Sequence, residues 1–373
     1  MNQTSCNLKG EQKVFWLHLG QASSCCRSHP EPLPSDMSTL LQHWKQEHDQ
    51  LEQGIPIPGC SACWTDQAQG RTSYRQKNGY GLKKTIQLWI NNTCNHMCSY
   101  CSPKFSSTWQ QSIQDRGLFQ NVSSTVKDRH ALPIENVDQT QWIENIREYL
   151  QGQPSSSIIL TLLGGEPLMQ VRSLQKLLDL ASPSISQLQI VTNLNPPNNK
   201  FLIWLLDKLP KDKLRFEISI DTTPEYNHVP RAGFDADKFN TNLQLLQDRN
   251  IDFSMSSVFS VLSVFDLPRF INWSKSYRVT FNTITHPDCL NPIWLPKHIL
   301  DQIKDQFEQE PPMIFQELYQ ELYRENTQSL VDLKLFEQYN YLCQYFSRTD
   351  IDPKQINNDL FQQYWTWLSE RQK

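Results

Sequence analysis

Seven of the ten cysteines in this chain of 373 residues fall in tight groups: Cys25 with Cys26, Cys60 with Cys63, and Cys94 with Cys98 and Cys101. In a reducing compartment such grouping belongs to metal or redox chemistry rather than to a disulfide framework. The densest group reads Cys94-Asn-His-Met-Cys98-Ser-Tyr-Cys101. Its three thiolates reach one metal centre only if the chain wraps that centre as a compact loop. A mononuclear zinc ion wants a fourth ligand, and His96 sits inside the loop, where it would compete with the wrap. A four-iron cluster held by three cysteines instead leaves one iron open to a substrate or cofactor, which is the chemistry the spacing favours. Cys6, Cys289 and Cys343 stand alone and read as small buried hydrophobes.

The compartment follows from what the chain lacks. The first thirty residues have neither the basic start nor the continuous apolar stretch of a secretory signal, and no apolar run reaches about 18 residues, so a cytoplasmic protein away from the membrane is expected. Apolar residues make up 38%, aromatic residues 11% and charged residues 20%, which excludes a disordered chain. The 35 Lys and Arg against 39 Asp and Glu give a net charge of -4 with no long block of one sign. That balance argues against a nucleic-acid partner held by phosphate neutralisation.

The elements that must position the cysteines can be counted. Apolar runs at 85–90, 158–163, 188–192, 214–220, 251–262 and 279–284 read as strands. Stripes at helical spacing lie between them, Val171, Leu174, Leu177 and Leu178 in one, Phe201, Trp204, Leu205 and Leu209 in another, and both read as core packing. A helix is expected over 107–115, with Ser106 or Ser107 as its cap, and another around Trp142, Ile146 and Leu150. The fold class is therefore α/β, a partial (β/α)6 TIM-like barrel over 81–290, with its chemistry at the C-terminal strand ends. Residues 1–80 read as a separate irregular element with one helix over 38–53, and 291–373 as a helical extension broken at Pro296, Pro311, Pro312 and Pro353.

On these residues the chain resembles the radical S-adenosylmethionine (SAM) superfamily. The CxxxCxxC loop follows a first strand and carries an aromatic residue before its last cysteine. Leu163-Gly164-Gly165-Glu166-Pro167 resembles the family's GGEP motif, Val191-Thr192-Asn193 its TN step, and Glu217-Ile218-Ser219-Ile220-Asp221 its SxD step, each at a strand end. The resemblance, which covers about residues 85–285, implies a [4Fe-4S] cluster on Cys94, Cys98 and Cys101. It also implies SAM contacts at Tyr100, Gly164, Gly165, Glu166, Pro167, Asn193, Ser219 and Asp221, with Tyr100 beside the adenine and Glu166 on the amino group. Lys104 and Arg231 are the cations nearest the expected active face; each could contact SAM or a substrate carboxylate, with solvated surface charge the more common outcome.

Upstream, Cys25-Cys26-Arg27 and Pro58-Gly59-Cys60-Ser61-Ala62-Cys63-Trp64, followed by Arg71 and Arg75, resemble the part of such proteins described as twitch or SPASM-like. The resemblance implies an auxiliary iron–sulfur cluster on Cys25, Cys26, Cys60 and Cys63. A structural zinc, a redox pair and metal-free thiols are the competing readings. The family often has a cysteine near Phe15 where this chain has Trp16, which leaves His18, Cys26 or Cys6 for a further ligand, or the site open for substrate. Arg71 and Arg75 fit either a substrate carboxylate or salt bridges to the barrel. The activity implied is reductive cleavage of SAM to a 5′-deoxyadenosyl radical and hydrogen abstraction from a ribosomally made peptide, with flavodoxin or ferredoxin as electron donor. A small-molecule or nucleoside biosynthetic enzyme and a noncatalytic metal-binding protein are the alternatives.

Overall fold

The structure, a computed structural model, describes residues 6, 9, 11–70, 72–73, 76, 84–132, 139–181, 183–308, 310–321 and 328–372. Arg71 and Arg75 lie outside them. The strands along the chain are β1 (Gln12–Trp16), β2 (Gln21–Ser23), β3 (Glu31–Pro32), β4 (Lys84–Trp89), β5 (Met97–Cys98), β6 (Ile158–Leu163), β7 (Ile185–Thr192), β8 (Leu214–Ser219), β9 (Arg231–Ala232), β10 (Asp252–Phe259) and β11 (Val279–Thr283). The chain forms two compact units, one of residues 1–93, 133–191 and 198–216, the other of 94–132, 192–197 and 217–373. Neither boundary coincides with the divisions expected at 80 and 290.

In the first unit the strands run in the order β3-β2-β1-β4-β6-β7. β1, β4, β6 and β7 pair in parallel, with Val14 opposite Gln87, Leu88 opposite Leu162, and Leu162 opposite Ile190. β6, Ile-Ile-Leu-Thr-Leu-Leu, is an almost unbroken apolar run, the composition of a parallel strand covered on both faces. The N-terminal element expected to stand apart therefore supplies three strands, with β1 joined directly to β4. Its signal was short: only Val14 and Phe15 of Gln-Lys-Val-Phe-Trp are fully buried in the strand. Phe15 meets Trp44 of the helix Met37–Glu52 at 5.8 Å and Trp142 of the helix Thr140–Gln151 at 6.3 Å. Trp142, Ile146 and Leu150 recur every fourth residue and form that helix's buried stripe.

β8 begins in the first unit and ends in the second, where β10 and β11 follow it, the latter two paired in parallel. Helices Ser107–Arg116, Val171–Ala181, Lys200–Lys208, Ala236–Asp248, Leu267–Trp273 and Lys297–Lys304 follow β4, β6, β7, β8, β10 and β11 in turn. This is the succession expected of a partial (β/α)6 barrel. In the second unit the C-terminal helices form part of the core. Phe265 packs on Phe361 and Tyr364 at 5.5 Å each, and Tyr341 of the helix Gln328–Thr349 stacks on Phe119 at 4.6 Å. Among the described residues no helix is long and apolar enough to cross a membrane.

Candidate metal centre

Cys94, Cys98 and Cys101 lie on the loop between β4 and the helix Ser107–Arg116, and none is in a disulfide. Cys98 is buried and the other two are partly covered. The loop is held from outside, through its carbonyl groups. Cys94 O accepts from Ser107 Oγ at 3.1 Å and from Thr108 Oγ1 at 2.7 Å, and His96 O accepts from Ser106 Oγ at 2.8 Å. Trp109 Nε1 donates to Cys98 O at 2.8 Å, Arg129 Nη2 donates to Tyr100 O at 2.7 Å, and the Tyr341 hydroxyl donates to Ser99 O. Ser106 also caps the helix through the Trp109 N–H, as expected. Satisfying buried carbonyls in this way fixes the loop's path without using its thiols.

Inside the loop, burial sets the chemistry of the side chains. Burial pushes the Cys98 thiol up to about 12, against the pull of Arg231, and raises Cys101 as well. His96 is fully buried, and burial followed by the Arg231 charge lowers it to about 3, so it is neutral. Its Nε2 faces Asn195 Oδ1 at 3.4 Å while Nδ1 has no hydrogen-bond partner, and neither does the buried Ser99 Oγ. Among the described residues no three Cys, His, Asp or Glu side chains converge as they would on one metal ion. In a cubane each thiolate binds its own iron, so the three thiols fit a cluster better than a mononuclear ion.

Asp221, at the end of β8, gathers the remaining polar groups of the second unit. Its carboxylate accepts from the Tyr100 hydroxyl at 2.8 Å, the Val258 N–H at 2.8 Å, and Arg231 Nε and Nη2 at 2.8 and 3.2 Å. Tyr100, expected beside an adenine, thus spends its hydroxyl on Asp221, and its ring lies 5.5 Å from the Arg231 guanidinium carbon. Arg231 is 6% exposed, which overturns the expectation of a solvated charge; Lys104 is exposed as expected. Asn193 Nδ2 donates to Asn95 Oδ1 at 3.1 Å, and its own Oδ1 accepts the Asn195 N–H at 2.8 Å. Ser219 is half-buried at the end of β8.

In the first unit the Gly164–Pro167 turn is clamped to the residues just before Cys94. Gly164 and Gly165 have φ of +77° and +55°, and a Cβ on them would lie 1.9 Å from Trp89 Cδ1 and 2.3 Å from the Thr93 carbonyl oxygen. The glycines are thus required by the chain's own packing. The Glu166 N–H donates to Thr93 O at 2.7 Å, and its buried carboxylate caps the turn Pro167–Met169 by accepting the Leu168 N–H at 3.0 Å. Gln170 Nε2 closes the turn on Gly164 O at 2.9 Å.

The N-terminal cysteines also meet. Cys25 and Cys6 are buried together with Leu51 and Ile57, with Cys26, Cys60 and Trp64 packed against them. Cys6, expected to be an isolated hydrophobe, joins this group. Its hydrogen-bonded neighbour Cys26 and burial raise the Cys25 thiol, and burial raises Cys60 to about 11, opposed by Lys9. The Lys9 ammonium is buried beside them and donates to Ser24 Oγ at 2.7 Å, Ser28 Oγ at 2.9 Å and Glu47 Oε2 at 2.7 Å.

Residues 77–193 match the family described as a 4Fe-4S single cluster domain. No curated protein matches the chain. Among solved structures it is similar to native anSMEcpe with bound AdoMet, at a TM-score of 0.39 and 14% identity over 60% of this chain and 58% of that one. It is also similar to Streptococcus suis SuiB bound to the precursor peptide SuiA, at 0.36 and 11% over 74% and 52%. The likeness to Streptococcus suis SuiB alone is 0.37 and 14% over 79% and 66%. The chain thus spans less than two thirds of the length of these proteins, and likenesses at such scores do not fix its activity.

Proposed function

We propose that the chain is a radical SAM enzyme whose catalytic cluster is held by Cys94, Cys98 and Cys101. The observation that carries the reading is the loop itself: three reduced thiols on a segment whose carbonyls are tied outward by Ser106, Ser107, Thr108, Trp109, Arg129 and Tyr341. The match of residues 77–193 to a single-cluster domain supports it. When bound, a [4Fe-4S] cluster supplies the electron that cleaves SAM to a 5′-deoxyadenosyl radical, the hydrogen-abstracting species. The protein's part is positional. The outward ties fix the path of the loop, and the rings that supply two of them are themselves packed, Tyr341 stacked on Phe119 and Trp109 edge-on to His130 at 5.1 Å.

The substrate we propose is a ribosomally made peptide, and the electron donor flavodoxin or ferredoxin; a nucleoside or other small precursor is the alternative that substrate assays separate. The modest negative charge supports a substrate other than a polynucleotide. We assign Cys25, Cys26, Cys60 and Cys63 to an auxiliary iron–sulfur site, with Cys6 as a further candidate ligand, because Cys6 packs with Cys25, Cys26 and Cys60.

Anaerobic reconstitution tests the main reading. Iron, sulfide and a broad visible charge-transfer band are expected, and dithionite with SAM should release 5′-deoxyadenosine. Alanine at Cys94, Cys98 or Cys101 should abolish the release. A colourless protein that holds only zinc overturns the reading.

A further inference from the structure

We propose that the Arg231–Asp221 pair sets the reduction potential of the cluster on Cys94, Cys98 and Cys101, Arg231 making the cluster easier to reduce and Asp221 opposing it. The inference rests on the reading of the loop as cluster-bearing. Its ground is a contact: Arg231 Nη1 donates to Cys98 Sγ at 3.7 Å. The contact is built in by the backbone, because β5 and β9 pair Cys98 directly with Arg231, and the Ser99 N–H donates to Pro230 O at 2.8 Å.

The guanidinium is used on two edges. Nε and Nη2 face the Asp221 carboxylate, and Nη1 is left for the sulfur. A lysine cannot occupy both edges, since it offers one point charge on a flexible stem. Side-chain exposure is 7% for Arg231 and 0% for Asp221, so water screens neither charge well. Reduction adds one electron, hence one negative charge, to the cluster. A cation and an N–H donor at a ligand sulfur favour that charge, and a nearby carboxylate opposes it. The guanidinium lies against the sulfur and the carboxylate behind it, so the pair acts as a cation screened from the rear.

The two charges therefore make predictions of opposite sign. The holoprotein is reconstituted anaerobically without SAM and titrated with dithionite and mediator dyes, with the reduced cluster followed by electron paramagnetic resonance. Arg231→Gln should shift the potential to more negative values, Asp221→Asn to less negative values, and Arg231→Lys should fall between Arg231→Gln and the unaltered chain. A purely structural pair would lower stability in all three variants without separating their potentials by sign. Shifts in one direction for Arg231→Gln and Asp221→Asn, or no shift in either, overturn the inference. If Arg231→Gln takes up no iron, Arg231→Lys and Asp221→Asn decide, and unaltered potentials in both overturn it. An unaltered chain that takes up no iron overturns both this inference and the function it rests on.

Discussion

Replacing Gly165 with alanine isolates the contact that ties the Gly164–Pro167 turn to the residues before Cys94. Gly165 has a φ of +55°, and the new Cβ would meet the Thr93 carbonyl oxygen at 2.3 Å and the Asn92 carbonyl carbon at 2.9 Å. A left-handed backbone costs an L-residue about 1–2 kcal/mol. Both blocking atoms are backbone, so the turn itself must move. That breaks the 2.7 Å bond from the Glu166 N–H to Thr93 O, and leaving buried partners unsatisfied costs about 1–3 kcal/mol more. The expected loss is about 2–5 kcal/mol. Gly117→Ala is the control, since Gly117 has a φ of +73° with nothing within 4 Å of its added Cβ, and it should lose only the backbone component of about 1–2 kcal/mol. Urea unfolding of the two variants, with equal slopes, reads the difference directly. Losses equal within about 0.5 kcal/mol would refute the argument that packing against Thr93 demands this glycine.

Tyr341→Phe keeps the ring stacked on Phe119 but removes the donor to Ser99 O, so a buried carbonyl loses its partner; urea unfolding should show a loss of about 1–3 kcal/mol, and an unchanged midpoint would separate the C-terminal helix from the cysteine loop. Replacing Cys60 and Cys63 with serine should lower reconstituted iron while the signal from the loop at 94–101 persists. Cys289→Ser, at a buried position outside both cysteine groups in the sequence, should leave the iron content unchanged, and equal iron in all these variants would refute the auxiliary site.

Strands β4, β6, β7, β8, β10 and β11 were legible because they are strand-like runs alternating with helical stripes, and periodicity is a local property of the chain. The cysteine loop was legible for the same reason, since Cys94, Cys98 and Cys101 announce themselves by spacing alone. What holds that loop was not. Ser106 is visible as a helix cap, but its second bond, to the His96 carbonyl, is visible only in the folded chain. Tyr341 lies in a helical segment whose sequence reads equally well as a lid or a docking surface. β1 was missed because two buried residues among polar neighbours carry too little periodicity, and its place is fixed by pairing with β4.

Arg231 shows why the misreading of a single charge matters most near the site. An isolated arginine is ordinarily solvated, and nothing around Pro230-Arg231-Ala232 in the sequence says otherwise. Its burial is decided by two partners distant along the chain, Cys98 across a two-residue ladder and Asp221 at the end of a strand. A buried charge persists only where it is paired and hydrogen-bonded, so the fold must supply both partners before the arginine can be enclosed. The residue that composition would place on the surface therefore becomes a cation that bonds to a cysteine of the loop. Asp221, assigned from sequence to the cofactor, is the counter-charge that makes this enclosure affordable. The same carboxylate accepts from Tyr100, so the aromatic residue, the cation and Cys98 are joined by hydrogen bonds, and a change to any of them should be felt at the sulfur of Cys98.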